Sequence, residues 1–97
     1  MSFVQILEFD TKRSGEVETL MNEWRSQTMS TRTVKREVVA KHHNRPDHYV
    51  AIVEFSSYEE AQRNSKLPET DRFNAQMTKL CEGPIEFSDY DVIRDKS

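Results

Sequence analysis

Apolar and polar positions alternate from Ser2 to Phe9, with Phe3, Gln5, Leu7 and Phe9 on one side and Val4, Ile6 and Glu8 on the other. A period of two without Gly or Pro predicts a strand. The period then changes. After the turn Asp10-Thr11-Lys12-Arg13-Ser14-Gly15, apolar residues recur at Val17, Leu20, Met21 and Trp24, the stripe of an amphipathic helix. Glu16 and Glu18 fall in its first turn, where the helix dipole favours carboxylates. The polar stretch Ser26 to Thr33 ends that helix.

A second strand is predicted over Arg32 to His43, around Val34, Val38, Val39 and Ala40, and a third over His48 to Phe55. Between them Asn44-Arg45-Pro46-Asp47 carries turn chemistry. A simple hairpin sets His43 opposite His48, Val39 opposite Ile52 and Glu37 opposite Glu54. Ser57 caps a short helix with Glu60 at the capping-box position. Leu67-Pro68 breaks it, because the residue before proline avoids the helical region. Pro68 opens a further helix striped by Phe73, Met77, Leu80 and Cys81, and Gly83-Pro84 is its stop signal. A last strand alternates from Ile85 to Ile93.

Ile6-Leu7-Glu8-Phe9 and Ile52-Val53-Glu54-Phe55 each close a strand and lead into a helix. A strand–turn–helix unit written twice in 97 residues predicts an α+β, ferredoxin-like βαββαβ fold. The length fits one domain, 1–97.

Two faces of the sheet compete for cover. Phe3, Leu7, Phe9, Tyr49, Ala51, Val53, Phe55, Val38 and Ala40 are assigned to the face under the helices. Val4, Ile6, Val39, Val50 and Ile52 then lie on the other, which the chain's own helices cannot reach. A second copy of the same face is the simplest cover, so a homodimer is expected. With a hydrophobic fraction of 35% and a charged fraction of 32%, the core is thin and such help matters. The net charge of -3, with Lys and Arg scattered, argues against nucleic acid or an anionic membrane surface as partner. No apolar stretch approaches the ~20 residues of a membrane span. Met1 leads directly into a strand with no signal peptide, and the single Cys81 excludes an internal disulfide, so a cytoplasmic location is expected.

The run Phe3-Val4-Gln5-Ile6-Leu7-Glu8-Phe9, the hairpin, and Ile52-Val53-Glu54-Phe55-Ser56-Ser57-Tyr58-Glu59-Glu60-Ala61 before a proline-broken helix pair resemble the antibiotic biosynthesis monooxygenase-like, or dimeric α/β-barrel, superfamily. The resemblance spans essentially the whole chain and rests on packing motifs. It implies a four-stranded antiparallel sheet that pairs with a second copy into a barrel with helices outside. It also implies a range of activities, among them cofactor-free oxygenation of phenolic compounds and haem degradation. The haem-degrading branch uses an Asn on the first strand and a Trp and a His on later helices. Here Gln5, Ile6 or Glu8 stands at the first position, Asn64 and Met77 stand at or near the other two, and Trp24 is on the wrong helix. Neither haem nor any other cofactor is therefore expected. What the resemblance leaves is a cofactor-free oxygenase of a small aromatic or quinol-type substrate, or a non-catalytic dimeric ligand-binding or assembly module.

Three sets of residues carry candidate chemistry. Glu8 and Glu54 hold equivalent positions in the two repeats, and running the repeat strands parallel sets them side by side with Glu37 nearby. Clustered carboxylates raise one another's pKa and suit a general base or a hard metal ion; the plainer reading is a solvated or ion-paired rim. His42, His43 and His48 flank the hairpin, too few for a dedicated metal site, and no bound metal is expected. His42 is expected beside Tyr49, with Gln5 near, as the acid–base group of a site between helices and sheet. Phe9, Trp24, Phe55, Phe73 and Met77 are its expected apolar wall, suited to a flat aromatic ligand; their plainer role is core.

Overall fold

The computed structural model describes residues 2–97, so the reading of Met1 lies outside it. Seven elements follow in order: β1 (Phe3–Asp10), α1 (Ser14–Gln27), β2 (Val34–Lys41), β3 (His48–Phe55), α2 (Tyr58–Ser65), α3 (Pro68–Leu80) and β4 (Glu82–Asp91). This is the βαββαβ order with its second helix broken in two. The sheet runs β2-β3-β1-β4 with every neighbouring pair antiparallel. Among the described residues no helix is long and apolar enough to cross a membrane.

Local chemistry explains the boundaries. The Ser57 hydroxyl accepts from the Glu60 N–H and caps α2. Pro68 sits in the first turn of α3, where its missing N–H costs no helical hydrogen bond. Thr11 ties the β1–α1 turn down: its hydroxyl donates to the Leu80 carbonyl and accepts from the Arg13 N–H. Gly83 does not stop α3, which already ends at Leu80; it lies inside β4 with φ 76°. There the β1–β4 register slips between Glu8 and Asp10, and only glycine takes that backbone conformation freely.

The helices cover one face of the sheet. Leu7, Phe9 and Ala51 meet Val17, Leu20 and Met77 in the main core, while Phe3 and Phe55 pack on Ala61 of α2. Val4, Ile6, Val50 and Ile52 lie on the other face and are half-exposed.

Strand β2 departs from the sequence reading. Val34 faces Phe55, but Arg36 faces Glu54, so two steps along β2 answer one step of β3. Lys35 is the extra residue of a bulge, and beyond it the side chains exchange faces. Glu37 faces Val53, Val38 faces Ile52, and Val39 faces Ala51. Val39 and Glu37 therefore stand on the helix side, whereas Val38, Ala40 and His42 belong to the open face. The expected pairings of Val39 with Ile52 and of Glu37 with Glu54 are one residue out. The expected pairing of His43 with His48 fails likewise, since the His42 N–H donates to the His48 carbonyl.

Candidate functional site

A cleft opens between the helices and the sheet. Its inner part, about 250 Å³, is walled by Met21, Trp24, Phe73 and Leu7, with Gln5, Glu37, Asn64 and Thr70 as polar lining. A wider outer part, about 490 Å³, runs toward Phe9, Tyr49, Ser14 and Glu18. Met21, Glu37 and Val39 line both parts, so the two form one groove along β2.

Trp24 organises the inner part. Its indole N–H donates to the Thr70 hydroxyl at 3.0 Å, and its ring tilts against Phe73 with centres 5.4 Å apart. The Arg32 guanidinium lies 5.0 Å from the Trp24 ring centre, a cation–π position. Arg32 also reaches Glu37 at 3.9 Å. Burial pulls the Arg32 pKa down, and the Glu37 carboxylate opposes that shift. Two polar atoms are buried without a hydrogen-bond partner among the described residues: Arg32 Nη1 and Asn64 Oδ1. An unpaired buried acceptor costs about 1–3 kcal/mol, so Asn64, only 6% exposed beside an apolar cavity, asks for a donor.

The expected site residues separate. Trp24, Phe73 and Gln5 do line the inner cleft, and Phe9 and Tyr49 line the outer part, stacked at 5.7 Å. Gln5 donates to Asp89 at 3.3 Å. Phe55 and Met77 are core, 1% and 0% exposed, and line neither part. His42 is on the opposite face from Tyr49, because the bulge reverses the even and odd positions of β2. Its Nδ1 accepts from the Asn44 and Arg45 N–H groups at 3.1 Å and so closes the hairpin turn. His42 stands beside His48 instead, ring centres 5.8 Å apart.

The carboxylates do not cluster either. Because β1 and β3 run antiparallel, Glu54 faces Val4 and Glu8 faces Val50, at opposite ends of the open face. Each has its own cationic or imidazole partner: Glu54 pairs with Lys35, Glu8 with His48 and Glu37 with Arg32. His48 joins Asp10 through Nδ1 at 2.9 Å and Glu8 through Nε2 at 3.1 Å. The Asp10 bond, then the Glu8 bond, raise the His48 pKa. No group of three or more His, Cys, Asp or Glu suited to a metal ion occurs among the described residues. Burial, then the Asp10 charge, raise the Cys81 thiol, which keeps it protonated and unreactive.

Arg32, Asn64 and the inward placement of Glu37 and Val39 were not anticipated as parts of this site. For Asn64 a signal existed: it follows Ala61 by three residues, so the buried stripe of α2 contains an amide. For Glu37 there was none, since a bulge leaves no mark in the alternation.

No protein-family model and no curated protein matches the sequence. Solved structures do match its fold. A variant of SnoaB, a cofactor-independent oxygenase from Streptomyces nogalater, superposes with a TM-score of 0.83 at 13% identity, over 97% of this chain and 95% of that one. Rv0793 from Mycobacterium tuberculosis gives 0.81 at 12% identity over 100% of both chains. An antibiotic biosynthesis monooxygenase gives 0.75 at 15% identity over 97% of this chain and 100% of that one. The chain has the fold of the antibiotic biosynthesis monooxygenase-like proteins, as its sequence motifs implied.

Proposed function

We propose that this chain binds a flat, hydroxyl-bearing aromatic molecule in the cleft between helices and sheet and oxidises it with molecular oxygen, without a cofactor. The observation that carries the reading is Asn64, whose buried Oδ1 lacks a donor beside a cavity walled by Trp24 and Phe73. A ligand hydroxyl supplies that donor, and the two rings supply stacking surface. Glu37, at the junction of the two parts of the groove, takes the hydroxyl proton in the place foreseen for His42. The resulting electron-rich anion reduces oxygen directly. The phenol becomes a quinone: its O–H proton and the hydrogen of the para ring C–H are lost, one oxygen atom stays as the new carbonyl on that carbon, and the other leaves with the two hydrogens as water. All four electrons come from the substrate. Gln5 and Tyr49 serve as polar contacts at the floor and the outer end. The likeness to SnoaB supports this chemistry as a candidate.

The protein is proposed to work as a homodimer through the open face, now with Val38 rather than Val39 beside Val4, Ile6, Val50 and Ile52. The second reading, a non-catalytic ligand-binding or assembly module, is favoured by the pairing of Glu37 with Arg32, which engages that carboxylate, and by a cleft lining that contains no histidine among the described residues.

Trp24 fluorescence during titration with dihydroxyaromatics, together with oxygen uptake, separates the readings. Binding by wild type, weakened roughly 10-fold in Asn64→Ala, with uptake lost in Glu37→Gln, supports the enzyme. Quenching without uptake leaves the binding module, and neither response removes the ligand site altogether.

A further inference from the structure

The groove between helices and sheet is uneven in charge. Across its two parts the lining holds two carboxylates, Glu18 and Glu37, and no lysine, arginine or histidine among the described residues. Arg32 answers Glu37 from outside the lining, at 3.9 Å. Glu18 forms no ion pair among the described residues. Lys41 stands level with Tyr49 on β2, but it is exposed and lines neither part. One negative charge of the groove is left without a counter-charge.

The sequence of α1 places that charge. Ser14, Glu18 and Asn22 recur at a spacing of one helical turn and form a polar stripe beside the buried Val17, Leu20 and Trp24. All three residues of the stripe line the outer part. Elsewhere on the helices Glu16, Glu60 and Glu69 each meet an arginine three residues away. Around Glu18 the residues one turn away are Ser14, Gly15, Met21 and Asn22, none of them a base. Tyr49 lines the same part, half-buried, with Phe9 stacked on its ring at 5.7 Å. A carboxylate and a tyrosine ring in one concavity suit an ammonium group, which gains ion pairing from the first and cation–π attraction from the second. The inner end points to a ligand independently of charge: Asn64, 6% exposed, lines it with an Oδ1 that no donor reaches.

We propose that the ligand of the cleft carries a positively charged amine, held in the outer part between the Glu18 carboxylate and the Tyr49 ring, with its aromatic ring in the inner part. This rests on the aromatic-ligand reading above and adds the substituent that reading leaves open. The roles divide along the groove. Trp24 and Phe73 take the ring, Asn64 takes its hydroxyl, and Glu18 selects what the ring carries. The same unanswered charge turns away an aromatic acid.

Three catechols with side chains of different charge test the proposal: dopamine, which is cationic, neutral ethylcatechol, and anionic dihydroxyphenylacetate. Calorimetric titration under nitrogen reads binding without turnover. Wild type is expected to bind dopamine about 10-fold tighter than ethylcatechol, and dihydroxyphenylacetate more weakly than either. Glu18 is exposed on α1, so its replacement leaves the fold intact. Glu18→Gln is expected to remove the preference for dopamine without changing ethylcatechol binding, and Glu18→Lys to reverse it in favour of the acid. Glu23→Gln removes a charge from α1 outside the groove and should keep the preference. Asn64→Ala should weaken all three ligands alike. Equal affinities in wild type, or a preference that survives Glu18→Gln or falls equally in Glu23→Gln, overturn the amine and leave the aromatic site. Dopamine binding that depends on Glu18 but not on Asn64 lies outside the cleft and overturns the proposal too. No binding of any catechol removes the aromatic site itself, and the amine with it.

Discussion

Val34 and Glu37 lie on the same face of the sheet although they are three positions apart in the chain, Val34 against Phe55 and Glu37 against Val53. In a regular strand that spacing puts side chains on opposite faces. Lys35 absorbs the difference. Val34 thereby reaches the small core around Phe3, Phe55 and Ala61, and Glu37 reaches the cleft beside Trp24. Deleting Lys35 joins Val34 directly to Arg36 with both faces preserved. The only ion pair lost is the partly exposed one to Glu54, of the kind that contributes about 0–1 kcal/mol. The Lys35 deletion is expected to fold, with urea stability within about 1 kcal/mol of wild type. Deleting Val38 instead throws Arg36 and Glu37 onto the wrong faces and is expected to abolish cooperative unfolding. Equal behaviour of the two deletions contradicts the bulge.

Thr70 is a polar residue of α3 held inside, 7% exposed, by its bond to the Trp24 indole. Thr70→Val keeps the shape and leaves the buried N–H without an acceptor. The loss is expected at about 1–3 kcal/mol, read as a lower urea midpoint with unchanged slope. Thr70→Ser retains the acceptor and is expected to keep most of the stability. If valine and serine cost the same, the hydroxyl bond is not what holds Trp24.

Period carried most of the fold. The β3 limits, the Ser57 cap and the Pro68 start follow from alternation, capping chemistry and the geometry of proline, all local. The two repeats gave the topology because each strand had a single plausible inner face. Strand β2 did not: Val34, Val38, Val39 and Ala40 offer an apolar residue to either face, so one unseen extra residue reversed it. That reversal took His42 out of the site and brought Glu37 in. Asn64 shows the other gap, since a buried amide without a partner is visible only once the cavity around it exists.

Ile52 sits mid-strand on the open face, between Val38 and Ile6. Ile52→Asp places an unpaired carboxylate in the proposed dimer interface, where burial costs several kcal/mol. The variant is expected to run as a monomer in light scattering, and to melt earlier, at concentrations where wild type is a dimer. A dimer that survives Ile52→Asp with undiminished affinity must use another surface.

His48 makes the protein pH-sensitive from the same face. Its two ring nitrogens meet Asp10 and Glu8, and those bonds hold its folded pKa above the ordinary 6.5. Burial and Arg45 pull the other way without cancelling the rise. The sign follows from linkage. A raised folded pKa means that the folded state holds the proton more tightly than the unfolded chain. The contribution is complete below pH 6.5 while both carboxylates stay ionised, and it is lost as pH climbs through the folded value. Urea unfolding between about pH 5.5 and about pH 8.5 should therefore show wild type losing stability with rising pH. His48→Gln, which keeps a polar side chain but cannot take the charge, should lose less over the same range. Proton NMR of the imidazole gives the independent check: a midpoint above 6.5 in wild type that falls in Asp10→Asn more than in Glu8→Gln, because the Asp10 bond is the larger cause. A midpoint at or below 6.5, or equal pH slopes for wild type and His48→Gln, would mean that the two carboxylates do not hold this proton.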